Sequence, residues 1–221
     1  MMRRRVLPGL ILVAISALGL FLPPGREIFV DDDAGFLQIG TENFPYGGIQ
    51  QAIDAAREGS TIRIAVGYYR PFILNRRLIL KGAGIDNARV VSEDGAPSIL
   101  SRTDGAVVEG LSFIGPGNES APAGRGVVVE NARSVLLLSC KLPYFEIGLT
   151  LTDGEVTLAD TIVEYGLTGV FTDAGSRLHS MANLIVNNDI GLDCNAGEVD
   201  SCYDLLAGNG VDISDGCRQP D

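Results

Sequence analysis

Residues 46–84 read YGGIQQAIDAAREGSTIRIAVGYYRPFILNRRLILKGAG, and the hydrophobic period changes part-way through them. Ile49, Ala52, Ile53 and Ala56 fall at i, i+3, i+4 and i+7, which predicts a short helix over 49–57 with one apolar face, closed by Gly59. From Thr61 the period is two, so Ile62, Ile64 and Val66 share one face of a strand. The runs PFIL and RLIL follow at short intervals, separated by turn residues. A helix followed by short, closely spaced strands suits the capped start of a solenoid. The helix would cover the open end of the core, where unpaired strand edges would otherwise invite aggregation.

The repeat that a solenoid demands is clearest further along. Gly126, Gly148, Gly169 and Gly191 stand 22, 21 and 22 residues apart, with Gly210 after a shorter 19. They open the runs GVVV, GLTL, GVFT, GLDC and GVDI. Further apolar starts follow at Val135, Val156, Leu178 and Val199, and third apolar positions at Leu142, Val163, Ile185 and Leu206. Three strands in roughly 22 residues leave no room for a crossover helix, so the coils are those of a parallel β-helix rather than of βαβ units. From Thr61 onward there is space for seven or eight coils. Residues 115–124, GPGNESAPAG, read as an excursion from one of them.

The register assigns faces. Val127, Leu149, Val170, Leu192 and Val211 form one inward column; Val129, Leu151, Thr172, Cys194 and Ile213 form the other. Thr172 is the polar exception, expected to bond a neighbouring backbone group. Val128, Thr150, Phe171, Asp193 and Asp212 should point outward, as should Glu130, Thr152, Asp173, Asn195 and Ser214. Asn183, Asn187, Asn188 and Asn209 fall near turns and are expected to stack as a hydrogen-bonding ladder.

The net charge of −11 disfavours nucleic acid as a partner, and also polyanionic polysaccharide unless calcium or a local basic patch intervenes. MMRRRVLPGLILVAISALGLFLPPG, residues 1–25, has an Arg-rich start and an apolar run from Val6 to Leu22. It is expected to be a signal peptide, with Ala17-Leu18-Gly19 as cleavage signal, or else an uncleaved membrane anchor. Either places the domain, residues 26–221, outside the cytoplasm, secreted or at the cell surface. A membrane would be a partner only through an uncleaved segment.

IQQAIDAAREGSTIRIAVGYY followed by LILKGAG is similar to the N-terminal cap and first coils of pectate-lyase-like β-helix proteins, and VDDDAG (30–35) resembles the entry of an exported group within them. The resemblance implies an all-β, right-handed parallel β-helix with an N-terminal capping α-helix. It carries little about activity, because function lives in sites grafted onto such scaffolds. The Asp-Phe-Ile-Phe-Gly strand of pectin methylesterases is missing, as is the Gly-His-Gly of polygalacturonases. The Trp-Ile-Asp-His stretch of pectate lyases and the Asp-Pro-His-Asp of alginate epimerases are missing too.

Several residues are candidates for chemistry. Asp193 and Asp212 are expected to stack on adjacent coils with Asp173 nearby, about 5 Å apart, a separation used by retaining glycosidases. Phe171 and Asn195 would then contact sugar. Asp31, Asp32 and Asp33 could hold Ca²⁺; no other cofactor is expected. His179 should face solvent, turned away from Ser180. Of Cys140, Cys194, Cys202 and Cys217, one bridge is expected in the last coils, with Cys202–Cys217 favoured and Cys140 free. The leading expectation is a carbohydrate-interacting or structural surface protein without clear catalytic motifs. The alternatives are a polysaccharide hydrolase or lyase using the three aspartates, and a self-assembling module that stacks through a C-terminal end lacking a capping helix.

Overall fold

The computed structural model describes residues 25–217. The expected leader therefore lies outside the described residues, apart from Gly25, and so does the tail 218–221. The chain winds as a right-handed parallel β-helix of about seven turns. Three sheets wrap one core. An eight-stranded sheet runs from the strand Glu27–Val30 to the strand Glu198–Cys202. A seven-stranded sheet, here the glycine-led sheet, runs from Ile73–Leu74 to Val211–Ile213. The third sheet has seven short strands from Gly67–Tyr69 to Leu205–Ala207. Every coil gives one strand to each sheet, so pairing is between coils and always parallel.

The helix forms over Ile49–Ala55 and buries Ile49, Ala52 and Ile53. It covers the core at the N-terminal end, as the apolar spacing requires. The alternation in the strands is also realised, except at Val66, which lies beyond the strand Thr61–Ile64 and is 63% exposed rather than on the buried face of Ile62 and Ile64. Val127, Leu149, Val170 and Leu192 lie in register and are buried, as are Val135, Val156, Leu178 and Val199 in the eight-stranded sheet.

The glycine repeat has a steric cause. A Cβ on Gly148 would lie 2.8 Å from the Gly169 carbonyl oxygen, and one on Gly169 2.6 Å from that of Gly191. None of these glycines has a positive φ. The next coil's backbone excludes the side chain here, and the dihedral does not. At Gly191 the carbonyl that a Cβ would meet, at 2.6 Å, belongs to Asp212 and not to Gly210.

That exchange corrects the register of the last coil. Ile190 pairs with Val211 and Leu192 with Ile213, a two-residue shift from the glycine alignment. Asp212 therefore lies opposite Gly191 and does not stack on Asp193. Val211 and Ile213, expected inward, are 48% and 39% exposed. Two outward expectations also change, because Val128 and Thr150 are buried. The Thr172 hydroxyl, expected to bond backbone, has no hydrogen-bond partner, and neither does that of Thr150.

The asparagine ladder resolves into two. Thr161 N donates to Asn183 Oδ1 at 2.9 Å, and Asn183 N donates to Asp204 Oδ1 at 2.8 Å. At the next corner, Gly166 N donates to Asn188 Oδ1 and Asn188 N to Asn209 Oδ1, both at 2.9 Å. Each of these side-chain oxygens, three amides and the Asp204 carboxylate, thus accepts from a backbone N–H of the neighbouring coil. Asn187 is not in either ladder. It supplies a left-handed corner residue at φ 58°, level with Tyr165 (57°) and Gly208 (70°) in the neighbouring coils.

The disulfide joins Cys194 to Cys217, with Cα atoms 4.6 Å apart, which corrects the expected Cys202–Cys217 pair. Cys194 points into the last layers of core, and the tail closes over that open end rather than folding along the outside to Cys202. Cys202 is an exposed thiol. Cys140 is free, as expected, and burial pushes its thiol pKa up to about 12.

Candidate functional site

The outer face of the glycine-led sheet was expected to carry the chemistry. Register places Phe171 directly across from Asp193, and Thr150 on the other side of Phe171. The aromatic ring and one carboxylate are therefore adjacent. The second and third acids are not gathered with them. Asp212 is offset toward Gly191, and its Oδ1 accepts from Asn209 Nδ2 at 3.0 Å. The Asp173 carboxylate is engaged in the turn: one oxygen accepts from Asp153 N, Gly175 N and Ser176 Oγ at 3.2, 3.2 and 2.6 Å. Such a carboxylate caps backbone. Asn195 follows Cys194 beside it, and its N–H donates to Thr172 O at 2.8 Å.

Asp31, Asp32 and Asp33 do converge, with one ligand atom from each within 4.8 Å of the others. Oxygen donors at that spacing suit a hard cation such as Ca²⁺. Two of them also hold backbone: Asp32 Oδ2 accepts from Tyr68 N at 2.8 Å and Asp31 Oδ1 from Asp33 N at 3.1 Å. The cluster thereby ties the entry of the chain to the first coil. It bears on Tyr69 as well. Burial, then the charges of Asp32 and its neighbours, push the Tyr69 phenol from the usual 10.0 to about 12.

His179 lies on the outer face of the eight-stranded sheet, 3.9 Å from Glu155 and 3.8 Å from Asp200. Ser180 is buried on the opposite face, so the two form no pair.

Sequence reasoning missed a groove at the first coils. It has a volume of about 640 Å³, and Tyr68, Arg70, Pro71, Glu93 and Asp94 line it. The strand Gly67–Tyr69 positions the residues by alternation: Tyr69 turns into the core and Tyr68 outward. Tyr68 remains 63% exposed. Arg89 holds it, its guanidinium 5.5 Å from the ring centroid and its Nη1 donating to the phenol oxygen at 2.7 Å. Arg89 is the register partner of Tyr68 on the next coil. A fixed, exposed ring beside two guanidinium groups, Arg70 and Arg89, and two carboxylates offers a stacking surface with donors and acceptors around it. The available signal was period two across Tyr68-Tyr69, which puts one of two adjacent tyrosines in solvent.

An aromatic pair lies at the corner leading into the glycine-led sheet. Tyr144 and Tyr165 stack with centroids 5.8 Å apart and planes 19° from parallel. Beside them Lys141 bonds Glu164 at 2.7 Å, which raises the Lys141 pKa.

No protein-family model matches the chain, and no curated protein matches it. Solved structures do. A candidate glycosyl hydrolase from Parabacteroides merdae ATCC 43184 superposes with a TM-score of 0.54 at 14% identity, covering 89% of this chain and 96% of that one. A pectin methylesterase from Aspergillus niger gives a TM-score of 0.54 at 18% identity, covering 88% of this chain and 71% of the other. The chain shares their right-handed parallel β-helix fold. At such identities the likeness concerns the fold and leaves the chemistry to the site.

Proposed function

We propose that the chain is an exported β-helix protein that binds carbohydrate through the groove at Tyr68. The observation that carries this reading is the exposed Tyr68 ring, held by Arg89 at the edge of a groove with Arg70, Glu93 and Asp94 along it. Sugars present apolar C–H faces and a rim of hydroxyls. An aromatic ring with charged donors and acceptors nearby meets both. Support also comes from the fold shared with a pectin methylesterase and a candidate glycosyl hydrolase.

The test is a glycan array spanning neutral, amino and acidic sugars, followed by a cleavage assay on every hit. Tyr68→Ala should weaken binding tenfold or more, about 1.4 kcal/mol, without changing the melting temperature. Unchanged binding by Tyr68→Ala, or no hit for the full chain, would defeat the reading. A hydrolase reading keeps one favourable observation, the Phe171 ring across from Asp193. It requires Asp193→Asn to abolish cleavage of a hit while Tyr68→Ala leaves turnover of the bound glycan intact.

A further inference from the structure

The N-terminal end of the solenoid exposes an apolar patch that glycan binding does not use. The loop after the strand Glu27–Val30 crosses the outer edge of that strand. Phe29 N donates to Gly40 O at 3.1 Å, Tyr46 N to Phe29 O at 2.9 Å, and Asp31 N to Tyr46 O at 2.9 Å. Gln38 is tied to the loop's own backbone, donating to Gly35 O and accepting from Gly47 N, while Asp32, Asp33, Glu42 and Asn43 are exposed. The apolar side chains are left outside. Phe36 is fully exposed at 106%, and Leu37, Ile39 and Phe44 are 52%, 46% and 44% exposed. Four large apolar side chains within nine residues are thus left to solvent, and apolar groups concentrated in this way mark a contact surface.

The sequence indicates what covers it. The chain enters the solenoid at this same end, since Arg26 O accepts from Thr61 N at the first strand pair. The apolar run Val6–Leu22 ends four residues before Arg26. Four extended residues reach at most about 14 Å. A bilayer holding that run would thus lie within about 14 Å of Arg26, at the end of the solenoid from which the loop 36–44 also departs. Arg3, Arg4 and Arg5 before the run favour leaving the domain outside. We propose that the full chain stands with its N-terminal end on a lipid bilayer, its apolar run embedded, and that Phe36, Leu37, Ile39 and Phe44 enter the interface. The contact is apolar in character. Residues 25–56 carry one basic side chain, Arg26, against Glu27, Asp31, Asp32, Asp33, Glu42 and Asp54. Anionic lipid is therefore not needed, and added salt should change little.

The sequence contains no tryptophan, so a single introduced one reports unambiguously. The full chain carrying Phe36→Trp is reconstituted into phosphatidylcholine vesicles, with and without brominated acyl chains. The full chain carrying Tyr203→Trp, in the last coil where Tyr203 is 71% exposed, serves as the distal control. Emission from position 36 should shift to the blue and be quenched by the brominated lipid, while position 203 does neither. Equal, solvent-like emission from both positions overturns the proposal. So does a blue shift at position 36 that appears without lipid and grows with protein concentration, which would assign the patch to a second copy of the chain.

Discussion

At its N-terminal end the core is closed by the helix Ile49–Ala55, which buries Ile49, Ala52 and Ile53 over the first coil. Among the described residues, its C-terminal end is closed by a covalent link, Cys194–Cys217, and the last coil leaves Leu205, Val211 and Ile213 exposed. A solenoid coil contacts only its neighbours, so each end must be covered separately. One end uses apolar area, and the other shortens the freedom of the tail. The two closures should fail under different insults and spread damage over different lengths.

The largest effect is expected from the helix. Ile53 is fully buried, and Ile53→Ala should cost about 2–5 kcal/mol, read as a lower urea midpoint. The loss should reach the first coils, so that hydrogen-exchange protection falls across the strand Thr61–Ile64. A cost below that of an exposed substitution would mean that the helix rests on the core without closing it. Next comes the disulfide. For a sequence separation of 23 residues, the chain-entropy argument gives about 3 kcal/mol. Cys217→Ser, or reductant, should lower protection in the strands Ile190–Cys194 and Val211–Ile213 while leaving Thr61–Ile64 unchanged. A uniform loss across the chain would erase the contrast between the ends.

The same contrast explains what was legible. The helix and the coil period could be read because both rest on local spacing: an apolar face every three to four residues, and a glycine wherever the next coil's carbonyl approaches too closely for a Cβ. The last coil could not be read this way. Its glycine, Gly210, stands two residues before Asp212, which takes the ladder position beside Gly191, so counting from glycine misplaced Asp212, Val211 and Ile213 together. The disulfide was misjudged for a related reason: Cys194 was correctly placed inward, but the path of the tail over an open end has no periodic signature. Many corners were invisible as well, since Tyr144, Tyr165, Ala182 and Tyr203 adopt left-handed φ values that composition would assign to glycine. The Tyr68 groove draws on residues 68–71 and 91–96, one coil apart, and only the register brings them together.

The smallest expected effect concerns pH, and it separates the ends once more. Tyr69 is buried beneath the entry loop, and its hydroxyl donates to Ala65 O at 3.1 Å. Its folded pKa, about 12, lies above the usual 10.0. A raised folded pKa means that the neutral phenol is favoured in the native state. The corresponding stability is whole below pH 10 and is lost as pH rises through about 12. Tyr69→Phe should therefore be about 1 kcal/mol less stable than the native chain at pH 8, for want of the hydrogen bond. Above pH 10 the gap should close, because the variant has no phenol to ionise when it unfolds. Cys140 titrates in the same alkaline range, but it is present in both proteins and cancels in the difference. Urea melts of both at pH 8 and pH 11.5 read the gap directly. A gap that stays constant would free the N-terminal closure from any dependence on this proton. The C-terminal closure should show no corresponding change over the same range between the native chain and a Cys194→Ala/Cys217→Ala variant, which removes the disulfide without freeing a thiol to ionise.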